Sequence, residues 1–266
     1  MNTILKTTLL LFLIAFSFQG AHAQCKVTNT AFTSGENISY DLYFSYGLVN
    51  AKAGSGSLKT STVNYKGKSA YNINMLLNTS GLARNIYTVN DTLTSYVDMD
   101  LRPLLFTKNA FEGKDYSKEV QSYSYSGNTI RVRANRIFNG KEQFDETVTT
   151  QNCVYDYLSV LPLIRNLDYS GMKPGDNKQI QFLSGKDIVN MSVNYQGKSK
   201  IKANDGKTYN AINISLTIQD KAFKNKKEAI SASLTDDANR IPVVINTHLN
   251  IGAVRAVMKR VTGLRN

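Results

Sequence analysis

Few residues of this chain have the type and spacing for chemistry. Two histidines, His22 and His248, and two cysteines, Cys25 and Cys153, are spread over 266 residues. A zinc site takes three or four His, Cys or carboxylate ligands, and residues so scattered do not assemble one. A Ser-His-Asp triad would have to use His248, yet no Gly-x-Ser-x-Gly elbow accompanies it. Ala53-Gly54-Ser55-Gly56-Ser57 is glycine-rich, but it lacks the Lys-Ser/Thr of a phosphate loop and precedes no helix. It reads as a strand whose glycines permit curvature or close approach. Two carboxylates about 5–9 Å apart would suffice for glycoside hydrolysis, and Asp98, Asp100, Glu112, Asp115, Asp236 and Asp237 are available. Most of these stand at turns or beside lysine, where a solvated role is expected. The sequence predicts no catalytic residue, no metal and no cofactor.

Binding chemistry is better represented. Fifteen tyrosines and eleven phenylalanines, with no tryptophan, supply large amphipathic faces. A tyrosine ring is apolar and its tip polar, which suits a sugar platform or the mouth of a lipid pocket. Tyr43, Tyr87, Tyr123 and Tyr125 are candidates for that use, against a plain core or edge role. Lysines cluster at Lys198-Lys200-Lys202 and at Lys221-Lys224-Lys226-Lys227. They match phosphate or uronate chemistry, or form an ordinary solvated face.

The start of the chain sets the compartment in which these groups work. Residues 1–23 carry Lys6, an apolar run from Leu9 to Phe18 broken only by Ser17, and Ala21-His22-Ala23. That order is a cleaved secretory leader. The run is too short for a bilayer core of about 30 Å, so no transmembrane segment is expected in the chain from Gln24 onward. Lys and Arg outnumber Asp and Glu by 32 to 20, a formal charge of +12. A basic exported protein suits acidic envelope partners, namely lipid A phosphates, anionic phospholipid or uronate polysaccharide, and not nucleic acid. The expected location is the periplasm or outer envelope of a Gram-negative bacterium. Two cysteines in an oxidising compartment predict a Cys25–Cys153 disulfide, worth roughly 4–5 kcal/mol for so long a loop. Lipidation of Cys25 competes with it, but a lipobox needs a small residue where Gln24 stands.

Most of the remaining chain reads as strands. Ile38, Tyr40, Leu42, Phe44 and Tyr46 alternate with polar residues, and the same period recurs at 71–77, 123–125, 130–132, 188–195, 212–218 and 243–247. Ser126-Gly127-Asn128, Asn139-Gly140, Ser184-Gly185 and Asp205-Gly206 mark turns. About a dozen strands at such spacing must curl into a barrel, half-barrel or sandwich to cover their edges. Ser80–Tyr87 is expected to hold a helical turn. Asp156–Asn166 has helical spacing with Asp156 as a cap, and Pro162 makes a short or kinked helix of it. A weak repeat relates 67–74 to 206–213 and 97–104 to 235–243. The expected organisation is all-β, mostly antiparallel: one β domain over 24–266, built of similar halves at about 33–170 and 176–262 that meet near Met172–Asp176.

Several stretches together resemble an exported bacterial family of unknown function, domain of unknown function 3108. They are Ser34-Gly35-Glu36-Asn37-Ile38-Ser39-Tyr40, Ala53-Gly54, Thr79-Ser80-Gly81-Leu82, Tyr87-Thr88-Val89-Asn90-Asp91 and Ser95-Tyr96-Val97-Asp98. Tyr155-Asp156-Tyr157-Leu158-Ser159, Leu163-Ile164-Arg165, Lys173-Pro174-Gly175-Asp176 and Arg240-Ile241-Pro242 continue the series. The paired cysteines resemble the Bacteroidetes version. The resemblance implies a barrel-like antiparallel β fold, and its Asp/Arg/Pro strand start is similar to periplasmic lipoprotein carriers, whose open half-barrels hold acyl chains. It carries over no catalytic residue. Arg84, Tyr87, Asp91, Asp156 and Arg165 fall in its motif stretches and are the candidate ligand-binding residues, with a buried Arg–Asp pair as the scaffold alternative.

Taken together, these readings predict a non-enzymatic envelope binding protein holding an amphiphile, such as a lipid or glycolipid, or an envelope glycan in a β-sheet concavity. An assembly factor that recognises another envelope protein through a sheet edge is the alternative, and a glycoside hydrolase ranks third.

Overall fold

The computed structural model describes residues 25–47, 49–219, 230–248 and 252–266. Residues 1–23, where the sequence predicts a leader, and the Lys221–Lys227 cluster lie outside the described residues.

Alternating apolar residues fold as strands throughout. The first meander comprises β1 (Asn37–Tyr46), β2 (Val49–Tyr65), β3 (Lys68–Thr79), β4 (Val89–Asp98), β5 (Pro103–Glu112), β6 (Asp115–Ser126), β7 (Thr129–Phe138) and β8 (Lys141–Thr150). A helical turn, α1 (Leu82–Ile86), interrupts it between β3 and β4. A two-residue strand, β9 (Val154–Tyr155), and a buried helix, α2 (Val160–Arg165), lead to the second meander. That consists of β10 (Asn177–Ser184), β11 (Asp187–Lys202), β12 (Thr208–Ile218), β13 (Ile230–Thr235), β14 (Pro242–His248) and β15 (Ala253–Thr262). One sheet takes in all of these strands, in the order β8-β7-β6-β5-β4-β3-β2-β1-β15-β14-β13-β12-β11-β10-β9. Neighbours are antiparallel except β9, which runs parallel to β10. The β1–β15 pairing joins the first strand to the last, with Asn37 opposite Thr262. The result is the nearly closed, barrel-like all-β sheet that the alternation predicts.

Closure is completed by side chains. Among the described residues, β8 pairs only with β7. Across the seam, Thr150 Oγ1 donates to Gln181 Oε1 at 2.7 Å, Lys186 meets Glu146, and the Phe144 ring packs on Gly185. Cys25 and Cys153 are bonded, their Cα atoms 5.3 Å apart. The disulfide pins the N-terminal segment to the β8–β9 connection beside this seam.

The glycine pair in β2 behaves as its position predicts. A Cβ on Gly54 would overlap the Asn78 carbonyl oxygen, and one on Gly56 would meet Leu77 Cδ2 at 3.1 Å. β2 and β3 approach closely there, beside the register shift at Leu42/Tyr43.

The barrel interior is filled. Phe32, Phe106, Phe182, Leu158, Met191 and Ile214 are among its fully buried side chains, and all six residues of α2 are buried. Asp156 starts that helix: its Oδ1 accepts from the N–H groups of Leu158 (2.9 Å) and Ser159 (2.7 Å). Ser159 Oγ accepts in return from the Asp156 N–H, a reciprocal cap. Asn166 Nδ2 donates to the Pro162 carbonyl and closes the six-residue helix.

Candidate functional site

Hairpin turns gather at both ends of the barrel. At one end, which we call the cleft end, two of them and the end of a strand border a cleft of about 700 Å³, within the range of ligand sites. The β2–β3 turn supplies Tyr65, Lys66, Lys68 and Ser69. It is a two-residue turn with Lys66 at φ 51° and Gly67 at φ 85°, the left-handed pair that matches strand twist. Asn64 Oδ1 accepts from the Gly67 N–H at 2.8 Å and holds the turn.

The β4–β5 connection supplies Asp98, Met99, Asp100, Arg102 and Leu104. Asp98 organises it. Its Oδ1 accepts from the N–H groups of Asp100 (3.0 Å) and Arg102 (2.9 Å), and its Oδ2 takes Arg102 Nε at 2.7 Å. Leu101 adopts φ 61° at the point of reversal, ahead of Pro103. The β13–β14 connection repeats this device. Asp237 Oδ1 accepts from the Asn239 and Arg240 N–H groups, Arg240 has φ 47°, and Pro242 follows.

The last wall comes from Tyr123, Ser124 and Tyr125 of β6. Tyr125 donates its hydroxyl to the Pro103 carbonyl at 2.7 Å, and the Arg102 guanidinium lies 5.2 Å from its ring centre. Tyr65 stacks on Tyr96 with centroids 5.2 Å apart. Burial, more than any nearby charge, drives the Tyr123 and Tyr125 hydroxyls to far higher pKa values than free tyrosine, so both remain neutral donors. The cleft thus presents aromatic faces, fixed hydrogen-bonding groups and two exposed cations. Lys66 sits 5.3 Å from the Tyr65 ring, and neither Lys66 nor Lys68 has a carboxylate within salt-bridge reach among the described residues. The two acids are already engaged: Asp98 with its own turn and Arg102, Asp100 with Lys26 at 3.7 Å and Arg102 at 3.8 Å.

The five residues singled out from sequence do not converge on this cleft. Arg165 lies in the core, where its guanidinium meets Glu36 through two bonds of 2.6 and 2.8 Å and donates to the Asn239 and Ala31 carbonyls. Asp156 is fully buried, capping α2 and accepting from Ser95 Oγ at 3.1 Å. Burial raises its pKa, opposed by those hydrogen bonds. Arg84, Tyr87 and Asp91 belong together at the opposite end. Arg84 is exposed on α1, and the Tyr87 ring lies against Gly113. Asp91 faces inward, 6% exposed. Burial first, then the charge of Glu112, pushes its carboxyl up to about 6, against the pull of Lys108 and the Phe111 N–H. Among the cleft residues, Tyr123 and Tyr125 were foreseen as platforms and Asp98 and Asp100 as available acids. Tyr65, Lys66, Lys68 and Arg102 were not; the aromatic residue directly before a Lys-Gly turn and the Asp-x-x-x-Arg-Pro spacing are the signals that could have found them.

No helix among the described residues is long and apolar enough to cross a membrane. No cluster of three or more His, Cys, Asp or Glu side chains that could hold a metal ion occurs among them. Among curated proteins, none matches this sequence. In fold, the chain is similar to a β-barrel-like protein of domain of unknown function DUF1849 from Brucella abortus, with a TM-score of 0.62 at 10% identity over 89% of this chain and 100% of that one. A Bacteroides fragilis protein with a YmcC-like fold, named as a candidate exported protein, aligns over 89% of this chain and 99% of its own, at 8% identity and a TM-score of 0.36. Residues 39–259 match the family described as protein of unknown function DUF3108, and the chain belongs to that family.

Proposed function

We propose that this protein is exported to the cell envelope and binds an acidic glycan there without transforming it. One observation carries the reading: the 700 Å³ cleft joins tyrosine faces to Lys66 and Lys68, cations with no carboxylate within salt-bridge reach among the described residues. Sugar rings stack on aromatic faces, and uronate or phosphate substituents pair with lysine. An acyl chain fits less well. The core around Arg165 leaves a void of only about 10 Å³, between Phe32, Leu58, Thr60 and Leu161, room for about one water molecule. Hydrolysis is disfavoured because Asp98 and Asp100 are both ion-paired. Export draws support from the leader and the disulfide, and the paired Asp/Pro turns support a reading of two repeated halves.

An assembly role through a sheet edge rests on β8, which has one strand partner among the described residues. Exposed Lys141, Glu142, Asp145 and Glu146 along it are the usual guard against edge pairing, so this reading stands second.

The test is calorimetric titration with acidic and neutral oligosaccharides of equal length. The acidic series is expected to bind, and Lys66→Ala/Lys68→Ala is expected to weaken it roughly tenfold, about 1.4 kcal/mol. Equal affinity for both series, or no effect of the double variant, refutes the reading.

A further inference from the structure

The end of the barrel opposite the cleft carries a different surface. Of the seven large hydrophobic side chains exposed among the described residues, four stand there: Tyr46 (60% exposed), Leu82 (83%), Tyr87 (53%) and Phe111 (51%). Antiparallel pairing places them on one rim, since β1 ends, β4 begins and β5 ends at the same side of the sheet. Backbone bonds join the β5–β6 turn to the start of β4 and the end of β3 to the body of β2. The Gly113 N–H donates to the Thr88 carbonyl at 2.7 Å, and the Ser80 N–H to Ala53 at 2.9 Å. Exposed apolar residues scattered singly are ordinary, whereas a cluster on adjacent tips marks an interaction surface.

Charge selects the partner. Exposed Arg84 and Lys114 lie among the four apolar tips, and Lys141 on the neighbouring β7–β8 turn. None of the three has a carboxylate within salt-bridge reach among the described residues. Of the acids on the same rim, Glu112 pairs with Lys108 and Glu146 with Lys186, Asp115 and Glu142 accept from the neutral amides of Asn139 and Asn135, and Asp187 is exposed on the β10–β11 turn. The rim therefore combines uncommitted cations with aromatic and leucine side chains. That is the composition of a membrane–water interface binder, whose apolar tips enter the headgroup boundary while basic groups meet anionic lipid.

We propose that this rim docks the protein on an anionic lipid bilayer, with Leu82 and Phe111 entering the interface and Arg84 and Lys114 meeting lipid phosphates. Docked in this way, the barrel holds its cleft on the side away from the membrane. The inference does not depend on what the cleft binds.

The chain contains no tryptophan, so one introduced residue is a clean reporter. Leu82→Trp is expected to shift its emission to the blue with vesicles of phosphatidylethanolamine and phosphatidylglycerol, and not with phosphatidylcholine alone. In co-sedimentation with the same anionic vesicles, Leu82→Asp should lower partitioning roughly tenfold, the effect of withdrawing one buried leucine. Arg84→Glu/Lys114→Glu should lower it by a similar factor and flatten its salt dependence. Both sets of positions are exposed, and unchanged melting curves confirm that the variants fold. Three results overturn the proposal: no blue shift at Leu82→Trp, a blue shift at Tyr65→Trp on the cleft end instead, or vesicle binding that Leu82→Asp leaves intact. A concentration-dependent dimer that Leu82→Asp abolishes, without vesicle binding, would assign the rim to a second copy of the chain and also overturn it.

Discussion

Replacing Arg165 by methionine removes one charge from a site sealed on every side. The guanidinium and the Glu36 carboxylate are 2% and 1% exposed. They share two hydrogen bonds, Arg165 also satisfies two carbonyl oxygens, and its plane lies 5.2 Å from the Phe32 ring centre. Methionine fills much of the volume but leaves Glu36 charged, buried and unpaired. Breaking a buried pair from one side costs about 3–5 kcal/mol, a fall in melting temperature of roughly 6–20 °C for a chain of this size. Adding Glu36→Gln removes the stranded charge, so the double variant should lose less than the sum of the two single losses, with a coupling of about 1–3 kcal/mol. Urea denaturation under non-reducing conditions, followed by far-ultraviolet circular dichroism, measures all four states of the cycle. A loss below about 1 kcal/mol for Arg165→Met, or strict additivity, would show that the pair does not hold the N-terminal segment and α2 together and would refute the reasoning.

Three further perturbations test the fold. Reducing the Cys25–Cys153 bond opens a cross-link between residues 128 apart, and Cys25→Ser/Cys153→Ser should lower stability by roughly 4 kcal/mol in the same urea titration. Asp91→Asn probes the inward carboxyl whose pKa is pushed up to about 6 from 3.8. A carboxyl raised in the folded state contributes its full stability below its unfolded pKa and loses it as pH climbs through 6. The wild-type melting temperature should therefore decline between pH 4 and pH 7 by the equivalent of at most about 3 kcal/mol, and the asparagine variant should lack this decline; identical pH profiles would contradict the assignment. Gly54→Ala drives a methyl group into the Asn78 carbonyl and should cost about 1–3 kcal/mol, whereas Gly67→Asn, at an open left-handed turn position, should cost well under 1 kcal/mol.

Much of the fold was legible because a half-buried strand writes its two faces into alternate residues. β7 does so plainly, as Ile130, Val132 and Ala134 are buried and Arg131 and Arg133 are exposed. β8 wrote nothing comparable: with one strand partner, most of its residues are exposed on both faces, and polar residues suit it everywhere. The helix at Val160–Arg165 was readable from Asp156 and Pro162 because capping and proline effects are local. The interior partner of Arg165 was not, since Glu36 lies 129 residues away and only the barrel's closure brings them together. The same limit applies to the cleft. Tyr65, Arg102 and Tyr125 come from three separate strand ends, and nothing local to any one of them announces the other two. Arg165 and Asp156 draw attention as polar residues in an apolar stretch, a pattern shared by ligand sites and by buried scaffolding; in the fold both are buried, Arg165 bonded to Glu36 and Asp156 to Ser95.

The central claim is that a ligand is held at the polar cleft and not inside the barrel. A nitrogen–proton correlation spectrum of the uniformly labelled protein, titrated with an acidic oligosaccharide, tests it residue by residue. The account predicts saturable shifts confined to Tyr65–Ser69, Asp98–Leu104 and Tyr123–Tyr125. Shifts centred on the core around Leu158–Arg165, Met191 and Ile214, or a spectrum unchanged throughout the titration, would contradict it.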